Sequence, residues 1–314
     1  MNPKPDRVRK TGVPKEPCDL PSFPVESESA QPLKTRALLV APYVFLHVGC
    51  LGLLWVGWSW FSIGLAAAFY MLRMFAITAF YHRYFSHRAF RTSRFMQFVF
   101  ALLGNTSMQR GALWWAATHR HHHLHADEVT DKHSPARHGL YWSHLGWLTD
   151  PNNVPTDFSR IPDLAKYPEL RFLDKYDYVG PIFYGAILLL IGALVAHLAP
   201  EWGASVGQVF IWGFFVSTVV LLHATLCINS LAHKMGSRRF ETTDDSRNSL
   251  FLALLTLGEG WHNNHHRYAH SARQGFYWWE IDLSYYGLKL LSWLGLVWDL
   301  RPVPASIYKE AHHD

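Results

Sequence analysis

Four stretches of this chain are so long and so free of charge that a lipid bilayer is the environment they fit. Ala37 to Gly57 runs for 21 residues without Asp, Glu, Lys or Arg. At about 1.5 Å of rise per residue, a helix of that length covers the roughly 30 Å of bilayer hydrocarbon. Phe61 to Tyr81 repeats the pattern with Arg73 as its one charge, and Val179 to Leu198 and Val206 to Ala232 add a third and a fourth run. Hydrocarbon offers no water to backbone amides, so each run must close its own hydrogen bonds as a helix. The overall apolar fraction of 49% is ordinary; what matters is that the charges collect between the runs.

The remaining segments read differently. Trp58 to Trp60 is too short for a domain, so the first two helices form a hairpin, with Trp55, Trp58 and Trp60 at the far interface. Phe95 to Gly104 is apolar over only about half a span, which suits an interfacial or re-entrant helix. Arg120 to Asp177 is charged and interrupted by proline, and is expected in water. Ile281 to Trp298 has the rotation of an amphipathic surface helix. Residues 1 to 35 hold seven prolines among charges of both signs and are expected as a mobile tail, as are residues 301–314 at the other end. The expected class is therefore all-α: an integral membrane domain over residues 36–300, with spans at about 37–57, 61–81, 179–198 and 206–232 and a histidine-rich cap.

Charge sets the orientation. The far loops, Trp58 to Trp60 and Ala199 to Ser205, contain no Lys or Arg, so the positive-inside rule places both termini and the cap in the cytoplasm. The net charge of +5 forms no dense basic stripe interleaved with aromatics, which speaks for anionic lipid or an acidic soluble partner and against nucleic acid. Cys18, Cys50 and Cys227 give no disulfide framework, and the polar N-terminus is no cleavable signal.

Three histidine clusters lie on the cap side: His82-Arg83-Tyr84-Phe85-Ser86-His87, His119-Arg120-His121-His122-His123 and Trp261-His262-Asn263-Asn264-His265-His266. On a helix, positions i, i+3 and i+4 share a face, so His119, His122 and His123 can converge on a metal, as can His262, His265 and His266. His82 and His87 are five apart, about 140° around an ideal helix. The expectation is that the helix breaks between them and that each serves a different metal. Neutral imidazole suits zinc, copper, iron or nickel, and eight ligands exceed what one ion accepts, so two ions are the simplest count. A ninth candidate is His233, four residues after Asn229 on the protruding end of the fourth helix.

Each group also has an ordinary reading. One such cluster alone could be a surface patch; three on one side of a membrane argue for a site. His47, His197 and His223 lie in or at the ends of spans and are expected to be packed and hydrogen-bonded, whereas His121, His125, His138, His144 and His270 are expected behind the ligands or at the surface. Arg73 should face the bundle interior or snorkel. Asp131 and Glu259 lie near the second and third clusters and could accept the distal N–H of ligand histidines.

The three boxes, their order and their placement resemble the membrane fatty acyl desaturases, most closely the stearoyl-CoA desaturase type and its bacterial branch. Asn105-Thr106, Trp142-Ser143-His144-Leu145-Gly146-Trp147, Asn229-Ser230-Leu231-Ala232-His233 and Gly258-Glu259-Gly260 before Trp261 carry the likeness further, over roughly residues 37 to 300. The resemblance implies an O2-dependent, two-electron enzyme that introduces a cis double bond, at carbon 9, into a long-chain acyl-CoA. It implies two iron ions, replaceable by zinc in purified protein, bound by His82, His87, His119, His122, His123, His233, His262, His265 and His266. Asn229 would reach one metal through water, and Thr225 would line the bend of a substrate tunnel. Leu226 stands where animal enzymes usually have Trp, and Ala117-Thr118 where they have Arg-Asp at the headgroup entrance. Acyl-lipid therefore remains open as carrier. No fused cytochrome b5 domain fits after residue 300, so electrons should come from a separate ferredoxin, cytochrome b5 or reductase; the bacterial branch implies the inner membrane. The rivals are a membrane fatty acyl hydroxylase, which shares the boxes, and a non-enzymatic metal or haem carrier, which would place ligands along the spans.

Overall fold

A computed structural model describes residues 33–311. The expected N-terminal tail up to residue 32, with Cys18, and the terminal His312 and His313 lie outside the described residues. Among the described residues four helices are long and apolar enough to cross a membrane: Ala37–Val56, Trp60–Ser86, Val179–Leu198 and Val206–Ser230. The first contains Pro42 and tightens into a 3-10 turn at Cys50–Gly52. Gly57, at φ +62°, reverses the chain; Ser59 then caps the second helix by accepting from the Ser62 amide at 3.2 Å, and Ser62 returns the bond to the Ser59 amide at 3.0 Å.

The second helix does not break between the two histidines of its box, as the sequence had suggested. It continues from Ala76 to Ser86 as a π-helix, in which the His87 amide donates to the His82 carbonyl at 3.3 Å. An i→i+5 hydrogen bond places residue i+5 above residue i much as an α-helix places i+4. Phe80 of this segment stacks on Phe100 at 3.6 Å, fixing the helix Arg94–Asn105 against it.

Buried polar contacts tie the bundle together. Arg73 is 1% exposed and faces inward, donating to Ser217 and Thr218 hydroxyls at 2.7 Å each. His47 and His223 face each other through Nε2 at 2.9 Å, and the Nδ1 of His223 meets the Nε2 of His144 at 2.9 Å, joining the first helix to the fourth and to the cap. His47 and His223 are thus hydrogen-bonded as expected. His197 is not: it is exposed at the far end of the third helix, where its ring can reach polar surroundings.

The region from Arg120 to Asp177 is more structured than an aqueous linker. Short helices, among them Pro135–His144 and Pro168–Lys175, bury Leu164, Leu170 and Leu173 in the same core as Phe85 and Phe100. The expected surface helix is shorter than its apolar pattern, Leu283–Trp293, because Gly295 takes φ +70° and closes a Schellman motif with Leu296 bonded back to Leu291. Val297–Trp298 then pairs antiparallel with Arg91–Thr92, a two-residue exception to the all-α class. The segment after residue 300, expected as a tail, continues the cap through residue 311: Ile307 and Ala311 are buried against Phe240 and Phe276.

Candidate metal centre and substrate cavity

The nine histidines gather into two buried groups. His82, His87, His119, His123 and His265 form one, and His122, His233, His262 and His266 the other; within each, one nitrogen per ring lies within 4.8 Å of all the rest. His82 and His87 therefore serve the same group, because the π-helix turns both to one face, and the expectation of separate metals is corrected. The helices Ala112–His125 and His262–Arg267 lie between the groups and contribute to both. His119 and His123 point to the first while His122 points to the second; His265 joins the first while His262 and His266 join the second.

The spacing inside the groups is that of ligands sharing an ion. Nε2 atoms face each other at 2.9 Å for His82 and His265, 2.8 Å for His119 and His87, 2.8 Å for His265 and His123, and 3.1 Å for His233 and His262. Imidazole ligands about 2.1 Å from an ion stand about 3.0 Å apart at right angles and about 3.4 Å apart at tetrahedral angles. The observed contacts match the right-angle case. The Nε2 of His266 is buried without a hydrogen-bond partner, as an atom awaiting an ion would be. The residues present fit two metals.

Carboxylates set the tautomers from behind. His122 Nδ1 lies 3.0 Å from Asp131, His233 Nδ1 2.8 Å from Asp127 and His266 Nδ1 2.7 Å from Asp244, while His82 Nδ1 contacts Glu259. A ring donating from Nδ1 turns the lone pair of Nε2 to the centre. Burial tends to raise these four acids, but their histidine partners hold all of them below the usual carboxylate range. Burial, reinforced by neighbouring positive charge, pushes His87, His119, His123, His262 and His265 well below 6.5. His266 falls to about 4 because burial outweighs Asp244. Burial also opposes the charge on His122, yet Asp131 lifts it above its ordinary value.

Further layers hold the boxes. Arg83, 1% exposed, bridges Glu259 at 3.1 Å and Asp282 at 2.9 Å and donates to the Ala272 carbonyl at 2.8 Å. Asn248 accepts from the amides of Asn263 and Asn264 at 3.0 and 3.1 Å, capping the third-box helix from outside its own segment.

A cavity adjoins the centre, lined by Met74, Ile77 and Ile228 together with His82, His119, His122, His262 and Asn229. A second cavity shares Trp115, His119, Thr225 and Asn229 with it and extends past Trp114 and Trp147. Thr225 stands where they meet and accepts from Gln109 Nε2 at 3.0 Å. Leu226 lines the second cavity.

Comparison with known proteins places the architecture. The model of the fatty acid desaturase family matches residues 58–291. The chain belongs to the fatty acid desaturases. It is 36% identical over 262 residues to the sn-1 stearoyl-lipid 9-desaturase of Anabaena variabilis, covering 82% of this chain and 91% of that one. It is 36% identical over 268 residues to the acyl-CoA 5-desaturase AL21 of Anemone leveillei, covering 84% and 78%. It is likewise 36% identical over 260 residues to the hex-5-enoyl-[acyl-carrier protein] acetylenase of Moorena producens, covering 79% of each. As a desaturase the chain is an oxidoreductase, and with its four apolar helices it is a membrane protein.

Sequence reasoning missed several residues here. His133, buried 4.5 Å from the His122 ring and pushed down to about 3 by burial and then by His122, forms a further cluster with His122 and Asp131. Its place two residues after Asp131 was the available signal. Asp127 and Asp244 find their histidines across the fold, and Gln109 reaches Thr225 across 116 residues. His144, expected behind the ligands or at the surface, is half-buried and touches Ser230 and His223.

Proposed function

We propose that this chain is an O2-dependent desaturase that forms a cis double bond at carbon 9 of a saturated long-chain acyl group. The nine histidines would hold two iron ions, and Asn229 would reach one of them through water. The observation that carries the reading is the apolar cavity wall that presents His82 and His119 of one group beside His122 and His262 of the other, with Asn229. A methylene pair in that cavity lies next to both sites. Neutral imidazole donors suit iron, and also zinc, which can replace it during purification.

Bound metal supplies the oxidising power that an unactivated C–H bond demands. Overall, O2, two electrons and two protons enter, two hydrogens leave the acyl chain, and two waters form. The chain's own residues do the positioning. The carboxylates facing Nδ1 of His82, His122, His233 and His266 orient these rings so that Nε2 turns inward. Thr225 and Gln109 narrow the cavity, and Met74 and Ile77 exclude water from it. The relative from Anabaena variabilis, named a 9-desaturase, supports the position.

The four spans are proposed to cross a bacterial inner membrane with cap and termini in the cytoplasm, since the far loops carry no Lys or Arg. Electrons come from a separate ferredoxin, cytochrome b5 or reductase. An open cleft lined by Arg88, Arg120, Arg160 and Arg301 reaches His87 and His123 of the first group; Asp163 in the same lining pairs with Arg88 and Arg120, and the remaining net positive charge suits an acidic carrier.

The test is to feed fully deuterated octadecanoate to cells expressing the chain. An octadecenoate lacking two deuteriums supports desaturation; a hydroxy acid lacking one would establish the hydroxylase instead.

A further inference from the structure

We propose that the acyl group enters sideways from the bilayer, still esterified in a membrane glycerolipid, through a gate made by Tyr43, Met108, Arg110 and Leu148. This rests on reading the cavity as the acyl site, and it names the carrier.

The gate follows from what its residues separate. All four line the inner cavity beside Trp114 and Trp147, and all four also line an outer groove between the first helix, at Leu38, Leu39 and Pro42, and the start of the third, at Tyr178 and Pro181. One layer of side chains thus divides the acyl cavity from a surface that both spanning helices turn to lipid. Leu38 is 74% exposed and Tyr178 54%. A groove with such walls, on helices of this length and apolarity, is filled by acyl chains of the surrounding leaflet.

Charge distinguishes the carriers. Arg110 is the one Lys or Arg among the described residues lining either the inner cavity or the groove, and it is already paired with Asp177 at 2.9 Å. A soluble thioester carrier brings several phosphates and needs cations where its acyl chain enters. The arginine-rich cleft is elsewhere and shares no residue with the acyl cavity. A glycerolipid keeps its phosphate in the interface and asks of the gate only an apolar path, with a charge-balanced pair at the ester level.

The gate's backbone carries strain. Met108 and Arg110 both sit at positive φ, +59° and +67°, unusual for residues with side chains. The Arg110 carbonyl is pinned by the Tyr81 hydroxyl and the Asn105 amide, each at 3.2 Å. Strain persists where surroundings over-determine it, and here the result is functional. Gln109 points inward to Thr225, while its two neighbours form the wall toward the lipid.

The experiment uses the metal-loaded full chain and its electron donor in vesicles of unlabelled phosphatidylglycerol carrying a minor fraction with a deuterated 1-octadecanoyl chain. A parallel reaction receives octadecanoyl-CoA instead. Intact-lipid mass spectrometry is expected to show loss of two deuteriums from the labelled phospholipid, without release of free acid. Leu39→Trp, which fills the outer groove, should slow this by about tenfold while metal content stays unchanged. Conversion of the CoA ester alone would overturn the lateral route but leave the desaturase intact. If neither is converted, the desaturase reading fails, and a turnover-free readout still decides the gate. A phosphatidylglycerol with a diazirine near the ester should crosslink to Tyr43, Met108 or Leu148, and crosslinks confined to other positions would overturn the proposal.

Discussion

Replacing Asp244 by Asn tests whether the carboxylates behind the histidines shape the metal centre. Asp244 faces His266 Nδ1 with one oxygen at 2.7 Å and accepts the Ser246 amide with the other at 2.9 Å. The Thr242 hydroxyl also donates to that second oxygen, at 3.0 Å, so all three neighbours donate and both oxygens are needed. An asparagine has one. If its NH2 faces His266, the ring must move its proton to Nε2, into the position of the ion. If its carbonyl faces His266, the NH2 meets the Ser246 N–H donor to donor. Either way one hydrogen bond to a charged group is lost, about 1.5–3 kcal/mol. Loss of such a partner typically costs about 10–100-fold in metal affinity, or about 1.4–2.7 kcal/mol, so the two routes agree. The assay is equilibrium dialysis of purified Asp244→Asn against graded ferrous iron with elemental analysis. The expected result is two ions per chain at high iron and one at limiting iron, the five-histidine group keeping its affinity. Two ions with wild-type affinities would refute the reasoning.

Three further outcomes follow from the same geometry. Metal-free protein should lose stability as pH falls from about 6.5 toward 4, because the unfolded chain takes up protons that His87, His119, His123, His262, His265 and His266 refuse when folded. His133, held near 3, adds to these six, and His122, raised when folded, works in the opposite sense as one group against seven, while the depressed carboxylates add their loss only below about 4; a melting temperature flat between pH 7 and 5 would contradict this. Gly260→Ala should abolish folded, metal-binding protein, since a Cβ there overlaps the Ala253 backbone nitrogen, whereas Gly64→Ala, with open space around it, should raise stability by up to about 1 kcal/mol; equal thermal midpoints would count against the packing. Reversing Arg160 and Arg301 to Glu should raise KM for an acidic electron donor and flatten its salt dependence, and an unchanged KM would move the docking face elsewhere.

The spans were legible because uncharged length is a local property; in the second and third boxes helical spacing rightly paired i with i+4, His119 with His123 and His262 with His266, but the expected convergence of the i+3 member is corrected, since His122 and His265 turn to the opposite group. The first box misled. Whether a helix bonds i→i+4 or i→i+5 leaves no mark in composition, yet it decides that His82 and His87 share a group. Asp131 and Glu259 could be picked out because they lie close to boxes in sequence. Asp127 is 106 residues from His233 and Asp244 is 22 from His266, distances only the tertiary fold closes. His197 sits in an apolar run and so looked packed, but its place at the end of the third helix lets its ring reach outward.

The central claim is that two histidine-held metals desaturate an acyl chain lying along the cavity. It is tested most directly by gas chromatography–mass spectrometry, with double-bond location, of fatty acids from cells expressing the chain beside cells expressing His265→Ala. The account predicts a new carbon-9 monounsaturated acid that disappears in the variant. No new unsaturated acid, despite metal-loaded protein and a competent electron donor, would contradict it.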